Sequence, residues 1–387
     1  MRLMKLSRLA ALFVIVAAAP ALAQTAAELP PDTVKKIEEA VKQEMTRQNI
    51  PGLSIAIATD NRIRYANGFG MADLENSVPA KATTAYRTAS IAKPITAAGV
   101  MQLAERGKLD LDAPIQKYCP AFPEKPWPVT ARQLLAHLGG VRHYAKPGEA
   151  SGTEHYFTVT DSLKLFKDDP LLHEPGTKFH YTTYGYSVLG CAIEGASGMS
   201  YEEYMRENVF KPAGMERTRQ DNHYEIIPDR ARGYMKFDIR TFTQFPESVR
   251  AKMKPGQIFN AGMHDTSMKV PGGGLVSTAV DLVKFAIAMQ TGALVKKDTL
   301  AQMWVAQKTR DGKETGYGLG WGIGSVQGMK LVSHSGGQAG VRTYLSYLPD
   351  KGIAIAVMTN IEGADPAEVV KQVGRILLPQ QNGEARN

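Results

Sequence analysis

The feature that most constrains the fold is where strand-like alternation falls: near both ends of the chain and scarcely in the middle. Leu53-Ser54-Ile55-Ala56-Ile57-Ala58 alternates as a half-buried strand does, and Asp60-Asn61 suits a tight turn into a second strand, Arg62 to Gly70. Such a hairpin is antiparallel. Far downstream, Tyr317 to Ile323, Gly340 to Leu348 and Gly352 to Thr359 carry the same strand signal. Residues 32–48 have Val34, Ile37, Val41 and Met45 at helical spacing, with Asp32 or Thr33 as the cap, and Asp365 to Leu377 closes the chain as a helix. Between them, Val129 to Leu138, Tyr184 to Gly195 and Ser200 to Val209 read as helices, while 142–160 and 221–268 read as long loops of the kind that often carry function. The pattern predicts an α/β (α+β) fold: one antiparallel sheet assembled from both chain ends, flanked by helices, with a mostly helical lobe inserted. The sheet lobe is assigned to 24–95 and 270–387, and the inserted lobe to 96–269. A cleft between the lobes is where a substrate would bind.

Residues 1–23 have the form of a secretory signal peptide. Arg2, Lys5 and Arg8 precede an apolar run, and Ala21-Leu22-Ala23 offers small residues for a cut before Gln24. The run from Leu9 to Ala23 falls short of the roughly 20 residues a spanning helix needs, so no transmembrane anchor is expected after cleavage. The mature chain is therefore expected outside the cytoplasm, periplasmic or secreted. Its removal lowers the formal charge from +8 to +5. No run of lysine and arginine with interleaved aromatics remains, which argues against a nucleic-acid partner. The two cysteines make no disulfide scaffold: Cys119 follows a helix end and Cys191 sits in the apolar pattern Val188 to Ile193, which favours separate thiols, although export leaves a bridge open. Among the eight histidines there is no His-Glu-x-x-His, and His173-Glu174 with His180 has the wrong spacing for one helix face. No metal and no cofactor are expected.

Chemistry enters at Ser90-Ile91-Ala92-Lys93. Pro94 is tolerable only near a helix start, and Ile95, Ala98, Val100, Met101 and Leu103 then continue a buried helix towards Gly107, so Ser90 falls in the first turn. At spacing i, i+3 the serine and lysine share a face. A serine hydroxyl attacks well only when a neighbour takes its proton, and a neutral lysine amine can do so. Burial and nearby positive charge make such an amine neutral.

Two further motifs follow in order. Tyr181 lies in Pro175 to Tyr186 just before a helix, and His334-Ser335-Gly336-Gly337 lies downstream. The set resembles the Ser-x-x-Lys, Tyr-x-Asn and Lys-Thr-Gly motifs of penicillin-recognising serine hydrolases, most of all class C beta-lactamases and their relatives. Supporting phrases run through the mature chain: Leu134 to His137, Gly198 to Tyr204, Gly214 to Thr218, Gly273 to Thr278 and Tyr317 to Trp321. Gly139 to Tyr144 resembles the peptidase-type members. Three positions depart from the pattern: Thr183 stands where Asn is usual, His334 where Lys is usual, and Leu138-Gly139 where Thr-Ser commonly follows the histidine.

The resemblance implies an acyl-enzyme mechanism with Ser90 as nucleophile and Lys93 and Tyr181 sharing its proton; which of the two is the base stays open. It implies backbone N–H groups of Ser90 and Gly337 as the oxyanion hole, and Thr183, His334, Ser335 and Gly336 as substrate-binding residues. His334 in the lysine place would present a charge to a substrate carboxylate only below its ordinary pKa near 6.5. The substrates implied are small molecules or peptides: peptide amides, esters or beta-lactams, with peptidase or esterase action ranked above a dedicated beta-lactamase. No Gly-x-Ser-x-Gly occurs, which counts against an α/β-hydrolase. The competing reading is a non-catalytic envelope protein that binds peptidoglycan peptides in the same cleft.

Overall fold

A computed structural model describes residues 28–378 apart from 147, 239–241, 243 and 244; the signal-peptide expectation for 1–23 lies outside the described residues. Its centre is a seven-stranded antiparallel sheet. The strands are β1 (Gly52–Thr59), β2 (Arg62–Asp73), β3 (Val78–Pro79), β4 (Gly322–Val326), β5 (Met329–Gln338), β6 (Val341–Leu348) and β7 (Ile353–Thr359), in the order β3-β2-β1-β7-β6-β5-β4. Strands from the two ends therefore meet at the β1–β7 pair, where Leu53 faces Thr359 and Ala58 faces Ala354. Asp60 and Asn61 both take positive φ, 52° and 56°, as a two-residue hairpin turn requires.

The strand alternation decides what each face packs against. Leu53, Ile55 and Ile57 of β1 point to one side with Ile355 and Val357 of β7. There α1 (Pro31–Gln48) and the C-terminal helix (Pro366–Leu377) cover them through Ile37, Val41, Val369 and Val373. Burying each large aliphatic side chain contributes about 1.5–3 kcal/mol. The other face presents Ala56, Ala58, Ala354 and Ala356, small enough for the helix Ala279–Gln290 to lie close. The helix Ala92–Glu105, which follows Ser90, is buried almost all round, so apolar residues on every side suit it. It packs on the helix Tyr184–Ser197 and ends at Gly107 with φ 66°.

Several expectations are corrected. The strand placed at Tyr317 to Ile323 starts only at Gly322; Tyr317 makes a single bridge to Gly322 and the segment between turns through Gly320 at φ 90°. The strand β5 has no clear alternation in sequence because Ser335-Gly336-Gly337 interrupts it. The helix expected over Val129 to Leu138 is the single turn and a half Ala131–Leu135, and Ser200 to Val209 is an α-turn followed by a π-turn. Helix α1 begins at Pro31 without a side-chain cap, so neither Asp32 nor Thr33 caps it. Cys119 and Cys191 form a disulfide across 72 residues of chain, against the expectation of separate thiols. Both halves lie in the apolar core, and the helix Tyr184–Ser197 folds back to bring them together, which no local pattern announces.

Candidate active site

The turn that carries Ser90 is held by a small three-stranded sheet separate from the central one. Residues Tyr86–Arg87 pair with Leu275–Ser277, the Thr88 N–H donates to the Leu275 carbonyl at 2.8 Å, and the chain then turns through a 3-10 segment, Ala89–Ile91. Ala89, immediately before Ser90, has φ 48°, a left-handed conformation that costs an alanine on the order of 1 kcal/mol. Strand β5 comes against this turn at Gly336. A Cβ there would sit 2.2 Å from Thr343 Oγ1 and 2.4 Å from the Thr88 carbonyl oxygen, so only glycine fits. Thr343 Oγ1 in turn donates to the Thr88 carbonyl at 2.8 Å. The strained turn leaves Ser90 half-buried at the cleft while Lys93 is fully buried beneath it.

Lys93 Nζ is surrounded by three oxygens: Gly272 carbonyl at 2.7 Å, Ser90 Oγ at 3.0 Å and Thr183 Oγ1 at 3.1 Å. All three are uncharged. Burial, and after it the charge of Lys269, holds the Lys93 amine well below the ordinary lysine range. Gly272 must be glycine for this packing, because a Cβ would lie 2.6 Å from Thr183 Cγ2.

Tyr181 completes the cluster, with its ring centroid 4.8 Å from Lys93 Nζ. Burial pushes its phenol above the usual range, and the hydrogen bond with Ser90 partly offsets that. Its backbone is clamped on both sides. The His180 N–H donates to the His137 carbonyl at 2.9 Å, the Thr182 N–H to His137 Nδ1 at 3.2 Å and the Thr183 N–H to His143 Nδ1 at 3.2 Å. A ring nitrogen that accepts carries no proton, so both imidazoles are the Nε2–H form. Burial keeps them neutral, His143 with its pKa drawn down to about 4.

His334 does not stand where a carboxylate would meet it. It is 6% exposed, behind the cleft wall. Nδ1 faces the Ser335 carbonyl at 2.7 Å, an oxygen that only accepts, so Nδ1 bears the proton and Nε2 accepts from Tyr317 Oη at 2.8 Å. Burial first, and the Lys93 charge second, draw its pKa down to about 3. The expected cationic role is thereby corrected: His334 is a neutral spacer bonded to Tyr317. Ser335 is exposed on β5 but outside the cleft lining, and Gly336 is buried against the Ser90 turn.

The cleft has a volume of about 520 Å³ and is lined by Ser90, Tyr181, Thr183 and Gly337 among the expected residues. Ser90 sits in the first turn, where N–H groups have no intrahelical acceptor, and Gly337 enters from β5. The lining residues that sequence reasoning did not assign to the site include His143, Lys269 and Arg342. Arg342 lies directly across the β5–β6 ladder from Gly337, a neighbour only the strand register reveals. Its Nη1 donates to the carbonyls of Gln338 and Val341, and its Nη2 lies 3.8 Å from Glu362. Lys269 Nζ donates to the Ala150 carbonyl at 3.0 Å, and burial lowers its pKa to about 8. A second cavity, about 420 Å³ and lined by Arg87, Arg230 and Arg232, contains none of Ser90, Lys93 and Tyr181.

The human mitochondrial serine beta-lactamase-like protein is 29% identical over 419 residues, spanning 81% of this chain and 74% of that one. Penicillin-binding protein 4* of Bacillus subtilis is 28% identical over 338 residues, spanning 84% and 72%. Among solved structures, the octameric penicillin-binding protein homologue of Pyrococcus abyssi superposes with a TM-score of 0.75 at 30% identity, over 89% of this chain and 77% of that one. The model of the family described as Beta-lactamase matches residues 37–377, from the first helix to the last and across every motif above, and the chain belongs to that family.

Proposed function

We propose that the protein is an exported serine acyl hydrolase that forms an acyl-enzyme on Ser90. The observation that carries this reading is the setting of Lys93: a buried amine, 3.0 Å from Ser90 Oγ, whose neighbours are all neutral oxygens. A neutral amine has two N–H donors and one lone pair. The Gly272 carbonyl takes one donor and can never give one back, so the lone pair must face a hydroxyl. Ser90 is the hydroxyl open to the cleft. Its proton passes to Lys93, directly or through Tyr181, as Oγ bonds to the substrate carbonyl carbon. The oxygen that becomes negative is received by the N–H groups of Ser90 and Gly337, donors of a kind that supply roughly 3–4 kcal/mol each. The same proton then goes to the leaving nitrogen or oxygen as its bond to carbon breaks. Water attacks the acyl-enzyme by the reverse route, giving up a proton to the base and restoring Ser90.

For substrates we favour peptide amides and esters over dedicated beta-lactam hydrolysis, because Thr183 offers one hydroxyl where the related motif has an amide with two donors. Arg342, with Lys269 deeper in the cleft, supplies the positive charge for a substrate carboxylate, as on a peptide C-terminus from peptidoglycan. The disulfide supports export, since such bridges persist in oxidising compartments. No helix among the described residues is long and apolar enough to cross a membrane.

Labelling with a fluorophosphonate and a fluorescent penicillin tests the reading. Wild type should label covalently and Ser90→Ala should not, while circular dichroism of the two coincides. Labelling of Ser90→Ala equal to wild type would overturn the nucleophile. Absence of labelling and of turnover on a D-Ala-D-Ala peptide, a D-amino acid amide, nitrocefin and a short ester would favour a non-catalytic peptide-binding protein.

A further inference from the structure

Outside the cleft, three loops bring His155, His223 and Asp265 together. His155 Nδ1 lies 2.7 Å from Asp265 Oδ2, and His223 Nδ1 meets that same oxygen. One donor atom from each residue lies within 4.8 Å of the other two. The Asp265 side chain is 2% exposed and that of His155 9%, whereas His223 is 38% exposed and gives a route from solvent. The other carboxylate oxygen is fixed by the Ser267 N–H at 2.6 Å, so Oδ2 is held in place for whatever the two rings share with it. The residues are 68 and 42 positions apart in the chain, which is why no local ligand motif signals them.

We propose that His155, His223 and Asp265 form a binding site for a zinc-class dication that clips the loops flanking the cleft. Two imidazoles and one carboxylate are a donor set that suits zinc, with a fourth position left for water. Ligand atoms around a tetrahedral zinc stand about 3.4 Å apart, given metal–ligand bonds of about 2.1 Å. His155 Nδ1 therefore withdraws from the carboxylate by roughly 0.7 Å and His223 Nδ1 by more, as each ring moves its proton to Nε2 and takes the ion through Nδ1. The site joins chain segments that build the cleft. The Asp265 N–H donates to the Gly152 carbonyl at 2.9 Å, the Tyr156 N–H to Ser267 Oγ at 2.8 Å, and Lys269 Nζ to the Ala150 carbonyl at 3.0 Å. Ala150 and Ser151 line the cleft, and Gly272, a few residues beyond Lys269, supplies the carbonyl that holds Lys93. A bound ion thus stiffens the cleft wall without touching the reacting atoms.

The test uses tag-free, chelator-treated full-length mature protein. Zn2+ is titrated by calorimetry and Co2+ by visible absorption, with binding read directly and independently of turnover. One equivalent should bind with a Kd below about 10 µM, with Co2+ giving the intense visible bands of a low-coordinate site, and Zn2+ should raise Tm. His223→Ala, at an exposed position where the fold tolerates change, should weaken binding at least about 30-fold, and His155→Ala likewise. His180→Ala should bind as wild type does. No uptake by wild type at about 100 µM metal, or unchanged binding in both His223→Ala and His155→Ala, would overturn the site and leave an Asp–His hydrogen-bonded cluster only.

Discussion

Lys93 Nζ lies 2.7 Å from the carbonyl oxygen of Gly272, the shortest of its three contacts and the one partner that cannot donate a proton. That contact fixes the direction in which the amine can act once it is neutral. Gly272 belongs to the turn Val270–Gly273, so the chain some 180 residues downstream orients the Lys93 amine next to Ser90.

Because burial, helped by Lys269, holds Lys93 below its ordinary range, its amine is deprotonated at pH values where a free lysine is charged. For a neutral ester, kcat/KM should rise with pH and level off well before the free-lysine range near about 10.4. Lys269→Gln removes the second cause and should move the rising limb to higher pH. A limb that stays put, in pH profiles of the two proteins, would show that Lys269 does not act on Lys93.

Thr183→Val keeps the shape of the side chain and removes the hydroxyl that bonds Lys93. Loss of one hydrogen bond to the amine, worth about 1–1.5 kcal/mol, should lower kcat roughly tenfold. KM for a small ester should hardly move. Steady-state kinetics separate the two parameters.

His334 is neutral across the physiological range, with its pKa near 3, so it gives no pH dependence to carboxylate binding between pH 6 and 8. His334→Lys would place a longer charged group against Tyr317 and the β5 backbone. Turnover of esters and of carboxylate substrates should fall together, by at least about tenfold. A selective gain for carboxylate substrates would reinstate His334 as their recognition site. Arg342→Ala should instead raise KM for the carboxylate substrate about tenfold and leave the ester near wild type.

Gly336→Ala drives a Cβ to within 2.2 Å of Thr343 Oγ1 and 2.4 Å of the Thr88 carbonyl. Overpacking at such a contact should cost about 2–3 kcal/mol and displace the Ser90 turn. Denaturant melts and esterase assays should both register it. Ala89→Gly, which relieves the left-handed alanine, should stay within about 1 kcal/mol of wild type.

Cys191→Ala opens a bridge that closes 72 residues of chain. Stability should fall by about 2–4 kcal/mol in chemical denaturation, and reduction of the wild type should reproduce the loss.

The sequence by itself determined the fold class and the order of the site. Alternation at Leu53 to Ala58 and Gly352 to Thr359 requires strands whose two faces differ, and these strands pair residue by residue. Ser90 and Lys93 were legible because Pro94 and the apolar run after it fix a helix start, and helical spacing alone puts both side chains together. What is local in the chain is legible there. The tertiary structure decided what depends on contacts between distant segments. Gly272 and Thr183 reach Lys93 from 179 and 90 residues away, Arg342 faces Gly337 through strand register, and Cys119 meets Cys191 through the fold of one helix. His334 makes the distinction sharpest. Its position in the motif suggested a charge facing the substrate, but the charge state of an imidazole is set by burial and by the Tyr317 hydroxyl and Ser335 carbonyl around it, and those exist only once β5 is packed.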